Sequence, residues 1–237
     1  MYEMMPAHPL TVMIVIGSCM VTPFYLLGTY VFSGASRAKG LQVGVAFLLF
    51  GALMSWVCLG DIPGRLGLIG NLIVPLAWIT PSLILFLGRN WFLNRELSQR
   101  WLIGLQLFRA IGGVFLIEMA RGNLPGIFAY PAGVGDIAVA LVALLVLIGC
   151  RNATHIPGKA VWLVIVLGML DFLSAFFFGF TSSPTPLQLF FPVAPYTVIT
   201  FPTGLIPLFL VPYAIFFHAL SALNYFKYNR GQDGNRR

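Results

Sequence analysis

Charge is scarce in this chain of 237 residues: only 9% are Asp, Glu, Lys or Arg. A soluble domain carries about 25%, so the chain has roughly a third of the usual share. So little charge cannot cover a water-facing surface. That excludes a soluble enzyme, a nucleic-acid module and a disordered tail. Cysteine is scarce too. Cys19, Cys58 and Cys150 all fall in apolar runs, with neither a CxxC pair nor a Cys/His zinc spacing. Free, lipid-buried thiols are expected rather than disulfides or a zinc site.

What the chain has instead is apolar sequence. Hydrophobic residues make up 59% of it, and its mean hydropathy is +0.90. Seven apolar segments can be read: Leu10–Phe32, Leu41–Gly60, Leu68–Gly88, Trp101–Ala120, Ile127–Cys150, Ala160–Phe180 and Thr203–Phe226. Each approaches the run of about 20 apolar residues that a spanning helix needs. The expected fold is therefore all-α: a polytopic membrane protein forming one seven-helix transmembrane domain over residues 1–237. The net charge of +7 reads as topology rather than as affinity for nucleic acid. Eleven of the 14 Lys and Arg lie between segments one and two, three and four, five and six, or after seven. The opposite side has only Arg65 and Arg121. The positive-inside rule then puts the N-terminus outside and the C-terminus in the cytoplasm of a plasma (inner) membrane. Met1–Leu10 carries only Glu3 as a charged side chain, which argues against a cleaved signal peptide with its basic start. The outer connection around Thr181–Pro202 is rich in Pro and aromatics, including Phe190, Phe191, Pro195 and Tyr196. It is expected to lie in the headgroup region or as a flap over the bundle.

Segments three and seven each carry two prolines in matching surroundings, Pro75 and Pro81 against Pro207 and Pro212. These pairs suggest parallel repeats, 10–88 and 127–226, joined by a connector at 101–120. In topology alone the layout resembles the three-plus-one-plus-three arrangement of SWEET sugar transporters. That resemblance implies a site at the interface of the repeats. Each proline also removes a backbone donor, so segments three and seven should bend and their freed carbonyls need partners. Other seven-span families fit less well. The lysines, Lys39, Lys159 and Lys227, sit at segment edges, where none can hold retinal as in microbial rhodopsins. His218 is the one histidine inside a segment, since His8 and His155 fall outside. One histidine does not suit cytochrome-b-type haem binding or the histidine-rich zinc hydrolases of the alkaline ceramidase and progestin-receptor type.

A charge at the bilayer centre costs about 2.5–3.5 kcal/mol on insertion scales, so intramembrane ionisable groups point to function. Depths follow from the helical rise of about 1.5 Å per residue, counted from the nearest cytoplasmic basic residue. Arg109 and His218 come out about 13 Å deep, Asp171 about 18 Å and Asp136 about 22 Å. Asp136 shares a stripe with Ala132, Gly133, Ala140 and Ala143; Asp171 with Gly168, Ser174 and Ala175; His218 with Ala214, Ser221 and Ala222. Small residues mark close helix packing, so these groups should face the interior. Arg109 sits with Gln106, Gly112 and Gly113. One Asp is expected to pair with Arg109 and the other to carry a proton or meet a cationic solute, because two carboxylates beside one Arg cannot both ionise cheaply in lipid. His218 is expected to bond Ser221 or a carbonyl. Glu118, near the outer end and three residues from Arg121, reads as a surface pair or a snorkelling carboxylate.

The stretch from Arg121 to Asp136 holds several glycines together with Pro125 and Pro131. It predicts either an irregular start to segment five that lines a cavity, or a tight loop closed by a proline cap. The candidate ligand- or proton-binding set is Arg109, Asp136, Asp171, His218 and Gln106. The function expected first is a small-solute or proton-linked transporter. A non-transporting ligand- or cofactor-binding protein comes second, and a membrane enzyme acting on a lipid last. The sequence names no cofactor. The partners it calls for are the lipid bilayer and a small molecule or proton, not nucleic acid.

Overall fold

The computed structural model describes residues 6–67, 69–184, 186–192 and 198–229. Among them there is no strand, and six helices are long and apolar enough to cross a membrane. These are α1 (Pro9–Phe32), α2 (Arg37–Leu59), α4 (Gln99–Ala120), α5 (Gly126–Gly149), α6 (Gly158–Ser182) and α7 (Ile206–Tyr228). The third apolar segment forms a shorter helix, α3 (Ile73–Leu87). Its 15 residues reach about 22 Å at the α-helical rise, short of a hydrocarbon core of about 30 Å. The expected start of that segment is thus corrected: helix α3 begins at Ile73, and a single 3₁₀ turn, Gly70–Leu72, precedes it. Leu68 and the C-terminal Arg230, Arg236 and Arg237 lie outside the described residues.

The outer helices are apolar on both faces. Met13, Leu49, Leu87 and Leu145 are exposed while Val15, Phe47, Leu85 and Ala143 of the same helices are buried. A helix that is hydrophobic all round belongs in lipid. One helix differs: 67% of the apolar window of α7 is buried, against 28–50% in the other five. It is the axial helix, and its Tyr213, Phe216 and Phe217 form an aromatic core with Phe47 of α2. All three cysteines are free.

The prolines act through the carbonyls they release. Pro23 in α1 leaves the Cys19 carbonyl without its usual donor, and the Thr22 hydroxyl donates to it at 3.0 Å. In α7 the first turn, Ile206–Leu210, is wound as a π-helix, so the Val211 N–H reaches back five residues to Ile206. The next donor in that pattern would come from residue 212, which is proline and has no N–H. The orphaned Pro207 carbonyl is taken by Trp78 of α3, whose Nε1–H donates at 2.7 Å.

At the start of α5 one of two expected alternatives is found, and at Glu118 an expectation is corrected. The glycine-rich stretch before Asp136 takes the form of a tight loop with a proline cap and is not irregular at depth. Its loop is confined to 121–125, with Gly122 at φ +79, and helix runs unbroken from Gly126 past Pro131 to Asp136 with Pro125 as N-cap. Glu118 is neither surface-paired nor snorkelling. It is 1% exposed and accepts from the His8 N–H at 2.9 Å, the Thr11 hydroxyl at 2.6 Å and Asn123 Nδ2 at 2.8 Å. It thereby ties α4 to the N-terminus of α1, where a helix dipole favours an anion. Arg121 turns instead to the Pro6 carbonyl. Glu118→Leu would strand these donors at about 1–3 kcal/mol for each that stays buried. A clear fall in melting temperature in detergent is expected; an unchanged melt would contradict this role. In the connection after α6, Phe190 folds back so that the Leu189 and Phe190 N–H groups both donate to the Thr181 carbonyl. Pro195 and Tyr196 lie outside the described residues.

Candidate functional site

The middle of α4, Leu105–Gly112, is wound as a 3₁₀ helix between α-helical ends. At three residues per turn, positions i and i+3 eclipse one another. Gln106, Arg109 and Gly112 therefore stand in one line, and all three are buried. This winding aims Arg109 between α5, α6 and α7. Its Nε donates to Asp136 Oδ1 of α5 at 2.7 Å. Its Nη2 donates to Asp171 Oδ2 of α6. Its Nη1 donates to the Gly168 carbonyl at 3.3 Å and lies 3.5 Å from His218 Nε2 of α7. Phe172 closes the remaining face, with the guanidinium carbon 3.9 Å from its ring centre. Arg109 is 1% exposed. A guanidinium only donates, so the contact with His218 is attractive when Nε2 holds the lone pair and Nδ1 the proton.

The approach of four helices needs missing side chains. A Cβ on Gly112 would land on Asp136, and one on Gly168 would land on His218 Nε2 and meet Arg109 Nη1 at 2.7 Å. Both glycines were legible as members of small-residue stripes. The Gly168 carbonyl and the Phe172 ring as Arg109 partners were not, because neither residue type announces such a role. The structure brings Arg109, Asp136, Asp171 and His218 together. Gln106 lies on the same line, but neither its Oε1 nor its Nε2 has a hydrogen-bond partner among the described residues. The expected bond from His218 to Ser221 is not made: the Ser221 hydroxyl donates to Gln99 Oε1 at 2.8 Å, while Gln99 Nε2 donates to the Ser221 carbonyl. Gln99 is better placed because it lies directly across the α4–α7 contact.

Both carboxyl groups are held by the same guanidinium. One guanidinium faces two carboxyls, so full ionisation would leave the cluster one negative charge in excess. A proton or a cation would balance it. The carboxyls form the inner end of a cavity of about 70 Å³. Trp78, Phe115, Phe128, Phe176 and Phe180 line its length, and Ser183 and Ile199 its far end. An apolar cavity of about 150 Å³ accepts a benzene ring; this one holds only a small or slender guest. Among the described residues no three His, Cys, Asp or Glu side chains group closely enough to hold a metal ion.

Fold and cluster together define an all-helical protein with six helices able to cross a bilayer and a buried Arg–Asp network at its centre. The family described as a domain of unknown function, DUF8737, matches residues 66–224, about two thirds of the chain, and the chain belongs to it. Every residue of the cluster falls within that match. No curated protein and no solved structure matches the chain.

Proposed function

We propose that this protein is a proton-linked transporter of small solutes in a plasma (inner) membrane, and that Arg109, Asp136 and Asp171 form its proton- and solute-binding site with His218 and Gln106 beside them. The observation that carries the reading is one guanidinium held between two carboxyls that line an aromatic cavity. Such a cluster favours the uptake of one positive charge, because it is near neutral with the charge bound. The reading has seven crossings. Helix α3 and the 3₁₀ turn before it together reach about 28 Å, close to the core thickness. The basic residues then place the N-terminus outside.

A second reading, a non-transporting ligand-binding protein, is favoured by the apolar lining of the cavity and by the tight closure beyond it. On the other side of Arg109 the space between Phe108, Leu210 and Ala214 is only about 10 Å³. Proteoliposomes loaded with a pH-sensitive dye separate the two. On the transport reading, wild type collapses an imposed pH gradient faster than protein-free vesicles, and Asp171→Asn or Asp136→Asn returns the rate to that of empty vesicles while the protein stays monodisperse and folded. Wild-type vesicles as tight as empty ones, under a pH gradient and a membrane potential, would leave the ligand-binding reading.

A further inference from the structure

Asp171 faces two ways. Besides the aromatic cavity, it lines a second concavity of about 580 Å³ between α5 and α6 on the outside of the bundle. Tyr130 and Val134 of α5 and Leu170 of α6 form its walls, and all three are exposed. In a membrane, that surface meets acyl chains. Ser174, one turn along α6 from Asp171, adds a hydroxyl to the same groove. An ionisable group is costly at such a surface and marks a path for solute or ion.

The seat of the carboxyl beside the groove depends on one residue. A Cβ on Gly135, which lines the groove, would fall on Asp171 Oδ1. Arg109 holds the other oxygen, Oδ2. The position without a side chain thus lets the carboxyl oxygen that the guanidinium does not hold pack directly against α5. Gly135 has no backbone reason to be glycine: it lies inside a regular helix with ordinary dihedrals.

We propose that the α5–α6 groove admits, from within the bilayer, a single-chain amphiphile with an ammonium head, and that the head docks on the Asp171 carboxyl. The proposal rests on the reading of the cluster as a binding site and names its substrate class. Charge complementarity selects the head: two carboxyls against one guanidinium lack one positive charge, and an ammonium supplies it with three donors. The groove selects the rest. Val134, Val139, Val142, Leu167 and Leu170 offer apolar contact to a chain, which a fully water-soluble cation would not use. The side opening spares the head a passage through the narrower aromatic cavity.

The test uses the full chain in phosphatidylcholine nanodiscs with two photoreactive probes, a single-chain primary amine and the same chain ending in a methyl ether. The amine is expected to label α5 and α6 at the groove and to be displaced by unlabelled alkylamine. Asp171→Asn should weaken its binding about ten- to a hundredfold, the worth of a charge-assisted hydrogen bond. Gly135→Ala should do the same by pushing the Asp171 carboxyl from its seat against α5. Ser174→Leu fills the groove away from the ion pairs and should reduce labelling even if the other two variants fold poorly. The ether probe should show neither saturation nor sensitivity to Asp171→Asn. Equal labelling by both probes, or amine labelling indifferent to Asp171→Asn and Ser174→Leu, would mean that the groove holds ordinary acyl chains, and would overturn the proposal. Proton flux in proteoliposomes reads separately. Flux without amine-selective labelling sinks the side opening and spares the transport reading; labelling without flux does the reverse.

Discussion

Arg109→Met should be the most damaging single substitution in the chain, lowering stability by about 3–5 kcal/mol, the cost of leaving a buried charge without its partner. The guanidinium is the only cation between Asp136 and Asp171 among the described residues, and four of its partners come from three other helices. Removing it leaves two carboxyls facing each other in a medium that hydrates neither. Arg109→Lys should rescue little. A lysine brings a single point charge and cannot span Asp136, Asp171 and the Gly168 carbonyl as the planar fork does. The triple variant Arg109→Met, Asp136→Asn, Asp171→Asn should recover much of the loss, since a neutral cluster escapes the unpaired-charge penalty. Thermal unfolding in one detergent, read by helix content and by monodispersity, orders the variants. If the single and triple variants melted together, the damage would come from lost packing, and the electrostatic account would fail.

Glycine substitutions should give effects of opposite sign in different helices. Inside a helix, Gly→Ala is ordinarily favourable by about 0.5–1 kcal/mol. Gly17 of α1 is exposed and an added Cβ meets nothing within 4 Å, so Gly17→Ala should stabilise. At Gly168 the added atom meets His218 Nε2 and Arg109 Nη1, and at Gly112 it meets the Asp136 side chain. These neighbours cannot swing away without breaking ion pairs. Overpacking of this kind costs about 1–3 kcal/mol, which outweighs the gain in helix propensity. Gly168→Ala and Gly112→Ala should therefore melt below wild type and bind protons or solute poorly in the same vesicle assay. Gly168→Ala as stable as Gly17→Ala would show that the four helices do not meet as described.

The crossings and the cluster were legible because both follow from a solvent rule that acts residue by residue. Lipid demands long apolar runs, and ionisable side chains within such runs must turn inward. Stripes of small residues beside Asp136, Asp171 and Arg109 added the direction. What stayed hidden depended on neighbours distant in sequence. Glu118 resembled an edge residue by its spacing from Arg121, but its partners His8 and Thr11 lie more than 100 positions away. Trp78 carries no mark of its bond to Pro207, which exists only because Pro212 meets a π-turn. The glycines before Asp136 suggested broken backbone, yet regular helix suffices once they are seen to make room for Leu116 and Asp171. In the third segment apolar composition begins a few residues before helix α3 does, so composition alone did not place the helix start.

The 3₁₀ stretch of α4 has a mechanical consequence. Eight residues at about 2.0 Å each are about 4 Å longer than the same residues at α pitch, and their windings differ by about 20° per residue. Both ends of this stretched coil are fastened to one neighbour: Tyr25 of α1 grips the Trp101 carbonyl, and Thr11 of α1 grips Glu118. Helix α1 is thus a splint. It spans the stretched coil with one hydrogen bond beyond each end, so the reach of α4 is matched to the distance between Thr11 and Tyr25.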